Sequence, residues 1–179
     1  SASELPSVTL TDDCDEYSVA RDRVVLIDSD DAATRFATVL QDLLREPITL
    51  GIDLEWQPDT SHSFNRPSLL QLATPTHVYL LDLELPACRT LELLDAIAAL
   101  LDSPKHRILG YGLQGDLDRL ELIHDRQSQM TSRVMTASRV IDLRDACHRV
   151  SGASTAFETG LAAQIRTWTG KTLDKAMQC

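Results

Sequence analysis

A chain of 179 residues that is 43% hydrophobic and 25% charged carries enough apolar side chain for one buried core, and seven Gly and seven Pro are too few for a collagenous or disordered chain. Twenty-seven acidic against seventeen basic residues leave a formal charge of −10, which repels phosphate backbones and excludes nucleic-acid binding by charge alone unless cations contribute. The longest apolar stretch, Leu91 to Leu101, is interrupted by Glu92 and Asp95 and falls short of a membrane span.

Ser1-Ala2-Ser3-Glu4 has no initiator Met, no basic start and no apolar run, and reads as a point inside a longer protein. Residues 1–22 are polar and acidic without periodicity, as expected of an arm ahead of a single domain over 23–179. Val24 to Ile27 form a short apolar run. Asp28 or Ser29 is placed to cap a helix carrying Ala33, Phe36, Val39, Leu40, Leu43 and Leu44, which Pro47 ends. Three strand-like runs follow, Ile48 to Trp56, Ser68 to Ala73 and His77 to Leu83. Thr74-Pro75-Thr76 turns between the last two, and the spacing predicts an antiparallel meander. A helix over Leu91 to Leu101 stops at Ser103-Pro104, and Arg107 to Tyr111 reads as another strand. The pattern is helical again from Gly115, extended at Val140-Ile141, and helical over Leu143 to Val150 and Gly160 to Trp168, with Gly170 as the stop. The order β-α-β-β-β-α-β-α-β-α-α predicts one α/β domain, a mixed β-sheet flanked by helices.

The chemistry concentrates in two segments. In Ile48 to Trp56, Asp53 and Glu55 are two apart and project side by side from an apolar strand, so both are expected to be buried and to need a counter-charge. Hard carboxylate oxygens make Mg²⁺ or Mn²⁺ the simplest partner. The second segment, Ile108 to Leu120, is a strand running into a helix. Its Gly110, Gly112 and Gly115 match G-x-G-x-x-G, which opens a dinucleotide-binding reading. Asp116 directly follows the third glycine, where its charge would oppose a pyrophosphate at the helix N-terminus. As a third carboxylate at the start of a helix, Asp116 instead converges with Asp53 and Glu55. Gln71 on the apolar Leu69-Leu70-Gln71-Leu72 run is a buried amide placed to brace those acids. The five histidines show no metal-ligand spacing and fit surface or hydrogen-bonded core roles. The four cysteines, Cys14, Cys88, Cys147 and Cys179, form no C-x-x-C pair and read as reduced thiols of an intracellular protein.

In order, GIDLEW, PSLLQLAT, HVYLLDL, LGYGLQGDLDRL and LDKAMQ resemble the 3′–5′ exonuclease domain of the DEDD superfamily, nearest its RNase D and Werner-exonuclease branch. G-Y-G where G-H-N is usual is most similar to the mutator-type, Mut-7-like members. The resemblance spans about Arg23 to the C-terminus. It implies an RNase H-like fold and two-metal phosphodiester hydrolysis on single-stranded RNA or DNA, with two divalent ions about 4 Å apart activating water and stabilising the leaving oxygen. It implies that Asp53 contacts both metals, Glu55 the one that activates water, and Asp116 the other. It also implies that Trp56, Tyr111 and Leu113 contact the terminal nucleotides, Trp56 serving either as a stacking platform or as sheet core. The family's third motif, a Tyr or His with a fourth metal-binding Asp, is expected beyond the LDK segment, after Cys179. On that reading the domain is C-terminally incomplete, its activity impaired and some apolar surface uncovered. Asp142 and Asp174 are expected to be structural. The alternative is a nuclease-fold module that binds nucleic acid or a protein without cleavage, with further partners reached through the rest of a longer chain.

Overall fold

The computed structural model describes residues 19–60, 65–123, 139–151 and 160–172. After a 3-10 turn at Arg21–Arg23, the elements are β1 (Val24–Ile27), α1 (Asp30–Leu43), β2 (Thr49–Trp56), β3 (Pro67–Ala73), β4 (Val78–Asp82), a 3-10 turn at Pro86–Arg89, α2 (Leu91–Asp102), β5 (Arg107–Gly110), α3 (Leu113–Ile123), β6 (Val140–Asp142), α4 (Leu143–Ser151) and α5 (Leu161–Thr169). Their types and order are those predicted. Of the arm expected over residues 1–22, residues 1–18 lie outside the described residues, as does the LDK segment.

The strands form one mixed sheet in the order β1-β4-β3-β2-β5-β6. β2, β3 and β4 are the antiparallel meander, while β1 joins β4 and β5 and β6 join β2 in parallel. Thr74 makes the β3–β4 turn possible. Its hydroxyl accepts the backbone N–H groups of His77 and Thr76, and its own N–H donates to the His77 carbonyl at 2.8 Å.

The helices start where short polar side chains satisfy their free N–H groups. Ser29 Oγ accepts from Ala32 at the head of α1, and Thr90 Oγ1 accepts from Leu93 at the head of α2. α1 buries Ala32, Ala33, Phe36 and Leu40, and α2 buries Leu93, Leu94, Ile97, Leu100 and Leu101. All of these except Leu94 pack with Leu50, Ile52 and Leu54 of β2 and Leu70 and Leu72 of β3 into one core, to which α3 adds Leu113, Leu117 and Leu120. Gly170 ends α5 with φ of 73° and donates its N–H to the Arg166 carbonyl. Cys88 is a free thiol, as expected, and no helix among the described residues is long and apolar enough to cross a membrane.

α3 begins two residues before the expected start at Gly115. The reason is Asp142 at the end of β6, whose carboxylate accepts the N–H groups of both Gly112 and Leu113 at 3.0 Å and also that of Arg144 at 2.9 Å. A carboxylate from another strand thus caps α3 and heads α4 together. Replacing Asp142 by Ala leaves three N–H groups without this acceptor, and is expected to cost about 2–3 kcal/mol. Asp142→Asn, which keeps one oxygen, should fall between. Equilibrium urea unfolding reads both, and a midpoint in Asp142→Ala equal to that of the parent chain would contradict the capping role.

Candidate active site

The site forms where β2 and β5 part. β5 pairs with β2 only over Thr49, Leu50 and Gly51, so the far half of β2 has no parallel partner among the described residues. The β5 chain leaves the sheet at Gly110, turns through Gly112 at φ of 75° and enters α3 at Leu113. Gly110 is a glycine for lack of room, since a Cβ there would stand 2.9 Å from the Ile52 carbonyl oxygen and run into the Leu113 side chain. This close passage sets the first turn of α3 over β2, and Asp116 accepts the Leu54 backbone N–H.

β2 alternates. Leu50, Ile52 and Leu54 are buried on one face, while Gly51, Asp53 and Glu55 lie on the other. That second face is less covered than the sequence suggested. Asp53 is exposed and Glu55 half-buried, because Asp53 opens onto a cavity of about 620 Å³ rather than against a helix. Gln71, across the β2–β3 ladder from Asp53, donates its Nε2 to Asp53 Oδ2 at 3.3 Å. Gln71 is half-buried and lines the same cavity, as does Tyr111. A bulge between Glu55 and Trp56 then shifts the register, a usual device for re-aiming side chains beside a site.

The buried acid is Asp116, only 4% exposed. Its pKa is pushed up to about 7, first by loss of water and then by the Asp53 charge, with Asp142 and Glu55 adding to the shift and the Leu54 N–H opposing it. Asp53, Glu55 and Asp116 therefore act on one another electrostatically across β2 and α3. The donor chemistry suits hard divalent cations, which relieve this repulsion. In the geometry as it stands, no group of three or more His, Cys, Asp or Glu among the described residues is arranged to hold a metal ion.

One residue of the site had not been anticipated. Arg119, one turn beyond Asp116, is 4% exposed and pairs with Asp59, donates to the Asn65 carbonyl and stacks over the Trp56 ring at 4.0 Å. Its guanidinium holds the Asp59 carboxyl below its usual range. Asn65 closes the same loop, donating through Nδ2 to the Pro58 carbonyl at 2.8 Å. Arg119 thus ties the β2–β3 loop to α3. The signal in the sequence is its place among Leu113, Asp116, Leu117 and Leu120 on the inward face of α3.

Two expected nucleotide contacts change in this light. Leu113 is fully buried in the core, packed with Leu117 and Leu120 of the same helix. Trp56 is half-buried against the core with Arg119 over its ring, which favours the core role. The dinucleotide reading fails on Asp142, which already occupies the Gly112 and Leu113 N–H groups that a pyrophosphate would need, and on a buried acid at the helix start.

A family model described as 3′–5′ exonuclease matches residues 24–179. The human exonuclease mut-7 homolog is 34% identical over 111 residues, which cover 59% of this chain and 12% of that protein. The Aedes aegypti Nibbler EXO domain superposes with a TM-score of 0.67 at 23% identity, over 91% of this chain and 76% of its own. Trypanosoma brucei RNase D in complex with RNA U12 superposes with a TM-score of 0.64 at 18% identity, over 87% of this chain and 50% of its own. The shared architecture is the RNase H-like one, a mixed six-stranded sheet flanked by helices.

The raised pKa of Asp116 has a consequence for stability. In the folded chain Asp116 holds its proton up to about pH 7, and in the unfolded chain only to about 3.8. Its contribution to stability is therefore full below 3.8 and is lost as pH rises through about 7. In chelator, the thermal midpoint of the parent chain is expected to fall between pH 5 and pH 8 by more than that of Asp116→Asn, which has no proton to lose there. Parallel pH profiles for the two chains would sink this account.

Proposed function

The chain belongs to the 3′–5′ exonuclease family, and from that premise we propose that it removes nucleotides from the 3′ end of single-stranded RNA or DNA, with Asp53, Glu55 and Asp116 holding divalent metal ions, Mg²⁺ or Mn²⁺. The observation that carries this reading is the burial of Asp116 within electrostatic reach of Asp53 and Glu55, at a cost that a bound cation would remove. The family uses divalent metal ions. When bound, they supply an activated water and stabilise charge on the leaving 3′ oxygen.

The chain's own residues do the rest. Asp53 and Glu55 present their carboxylates on the open face of β2, where a strand end can reach them. Gln71 fixes the Asp53 carboxylate by its hydrogen bond, so that one oxygen stays oriented. Asp116 must give up its proton before it can ligate, which near neutral pH requires little work because its pKa is about 7. Tyr111 offers an aromatic wall to a terminal base. With a net charge of −10, the chain has little general attraction for phosphate, so approach of a strand depends on cations at the carboxylates. The likeness to an RNase D solved with RNA supports a nucleic-acid substrate.

A 5′-labelled single-stranded RNA and its DNA counterpart, incubated with the chain in Mn²⁺, are expected to shorten from the 3′ end and to stay intact in chelator. Asp116→Asn should lower the rate by about 100-fold or more, and Gln71→Ala by about tenfold. A ladder of equal rate from Asp116→Asn would overturn the proposal, and absence of a ladder from the parent chain would favour the module that binds without cleavage.

A further inference from the structure

At the other end of β2 and β5 the chemistry reverses. A cavity of about 500 Å³ is lined there by Thr49, Lys105, His106, Arg107 and Arg139, and no acidic residue is among its described walls. Thr49 and Arg107 open their strands and sit opposite each other in the parallel ladder. At a strand rise of about 3.3 Å per residue, this end of β2 lies roughly 20 Å from Glu55. The cavity is therefore separate from the carboxylates, and its chemistry stands whether or not they cleave nucleic acid.

Its floor is unsatisfied. His106 is 1% exposed, and neither ring nitrogen finds a hydrogen-bond partner among the described residues. Arg139 Nη1 is buried in the same condition. This departs from the hydrogen-bonded core histidine that the sequence suggested, and leaving such groups dry is expensive. Burial, together with the charges of Arg139 and Lys105, holds the His106 pKa below its ordinary value. A water molecule could pair with the imidazole but brings no charge to meet the neighbouring cations. An anion with several acceptor oxygens answers the ring N–H and the guanidinium together.

The walls are fixed by the backbone. Arg107 donates its N–H to the Ile48 carbonyl at 2.9 Å, Ile108 to that of Arg139 at 3.1 Å, and His106 to that of Ser103 at 3.2 Å. Lys105 reaches across with Nζ to the Arg45 carbonyl at 3.4 Å, and its ammonium keeps further donors to offer. The exposed Lys105 and Arg107 and the half-buried Arg139 thus line one cavity without a lining carboxylate, in a chain whose acidic residues outnumber its basic ones.

We propose that this cavity binds a phosphate-type oxyanion, either inorganic phosphate or the phosphate group of a mononucleotide, with Arg139 and His106 as hydrogen-bond donors and Lys105 and Arg107 as supporting charges. The test is a nitrogen-15 amide titration of the chain in chelator, with inorganic phosphate in one arm and adenosine 5′-monophosphate in the other, ionic strength being held constant with chloride. Saturable shifts at Lys105, His106, Arg107 and Arg139 are expected. Arg139→Gln and Lys105→Gln should each weaken binding by about tenfold, as loss of one charge-assisted donor does. These two replacements avoid the buried His106, whose removal risks the fold. Saturation by both ligands assigns the site to the phosphate group itself, and saturation by phosphate alone assigns it to the free ion. Shifts that do not saturate, that fall only around Asp53 and Tyr111, or that survive unchanged in both variants would overturn the proposal.

Discussion

Everything at the acidic end of this sheet depends on a carboxylate kept out of water where two parallel strands separate. Asp116 is 4% exposed and shares its surroundings with the charges of Asp53, Asp142 and Glu55. Without a cation nearby, the low dielectric that makes this arrangement costly would also favour protonation. The fold does not remove that cost. It holds Asp116 in place with the Leu54 N–H and with a helix that cannot shift, because Gly110 leaves no space between β5 and the Ile52 carbonyl. Electrostatic strain of this kind, maintained by packing on every side, is characteristic of sites that act on charge.

The rigidity of α3 comes from both sides. At its start Asp142 supplies two acceptors from β6, so the helix is anchored to the strand two places from β2 in the sheet. Nearly two turns later Arg119 draws in Asp59, Asn65 and Trp56, so the loop after β2 is anchored to the helix in turn. A buried guanidinium needs this many partners, since an unpaired one would cost several kcal/mol. The chain that carries Asp53 and Glu55 and the chain that carries Asp116 are thereby tied at points flanking the acids. Those ties act beside the acids themselves, and the Leu54 N–H on Asp116 and the Gln71 amide on Asp53 add to them.

The succession of elements was legible because each announces itself locally. Ser29 and Thr90 cap, Pro47 and Pro104 stop, and Thr74 turns, all by interactions within a few residues. The pairing of Asp53, Glu55 and Asp116 was legible as well, through strand alternation and a resemblance carried by ordered motifs. Degree of burial was not. Ile48 to Trp56 looks uniformly apolar when scanned for hydrophobicity, yet read two by two it is an alternating strand with Thr49, Gly51, Asp53 and Glu55 on the less covered face. What covers a face is decided by distant elements, so Asp53 was expected to be buried and is exposed, while Leu113 was expected at a ligand and lies in the core. Arg119 and His106 were missed for the same reason. A cation on an apolar helix face, or a histidine ahead of a strand, shows its partners or its lack of them only after the chain has folded.

The two ends of β2 make the charge of the whole molecule less simple than its sum. A formal −10 suggests a surface that repels phosphate everywhere, yet Lys105, His106, Arg107 and Arg139 meet in one cavity with no acid among its described walls. Screening limits the reach of the distant acids to about 8–10 Å in physiological salt, so over the length of the strand each end keeps its own electrostatic character. An anion at the basic end would be held by local donors and feel little of the net charge. A polyanion at the other end meets Asp53 and Glu55 directly and needs cations between. On the two proposals, the same central strand separates a basic cavity suited to phosphate from an acidic face that would accept it through metal, and that separation follows from where the sheet's parallel pairing stops.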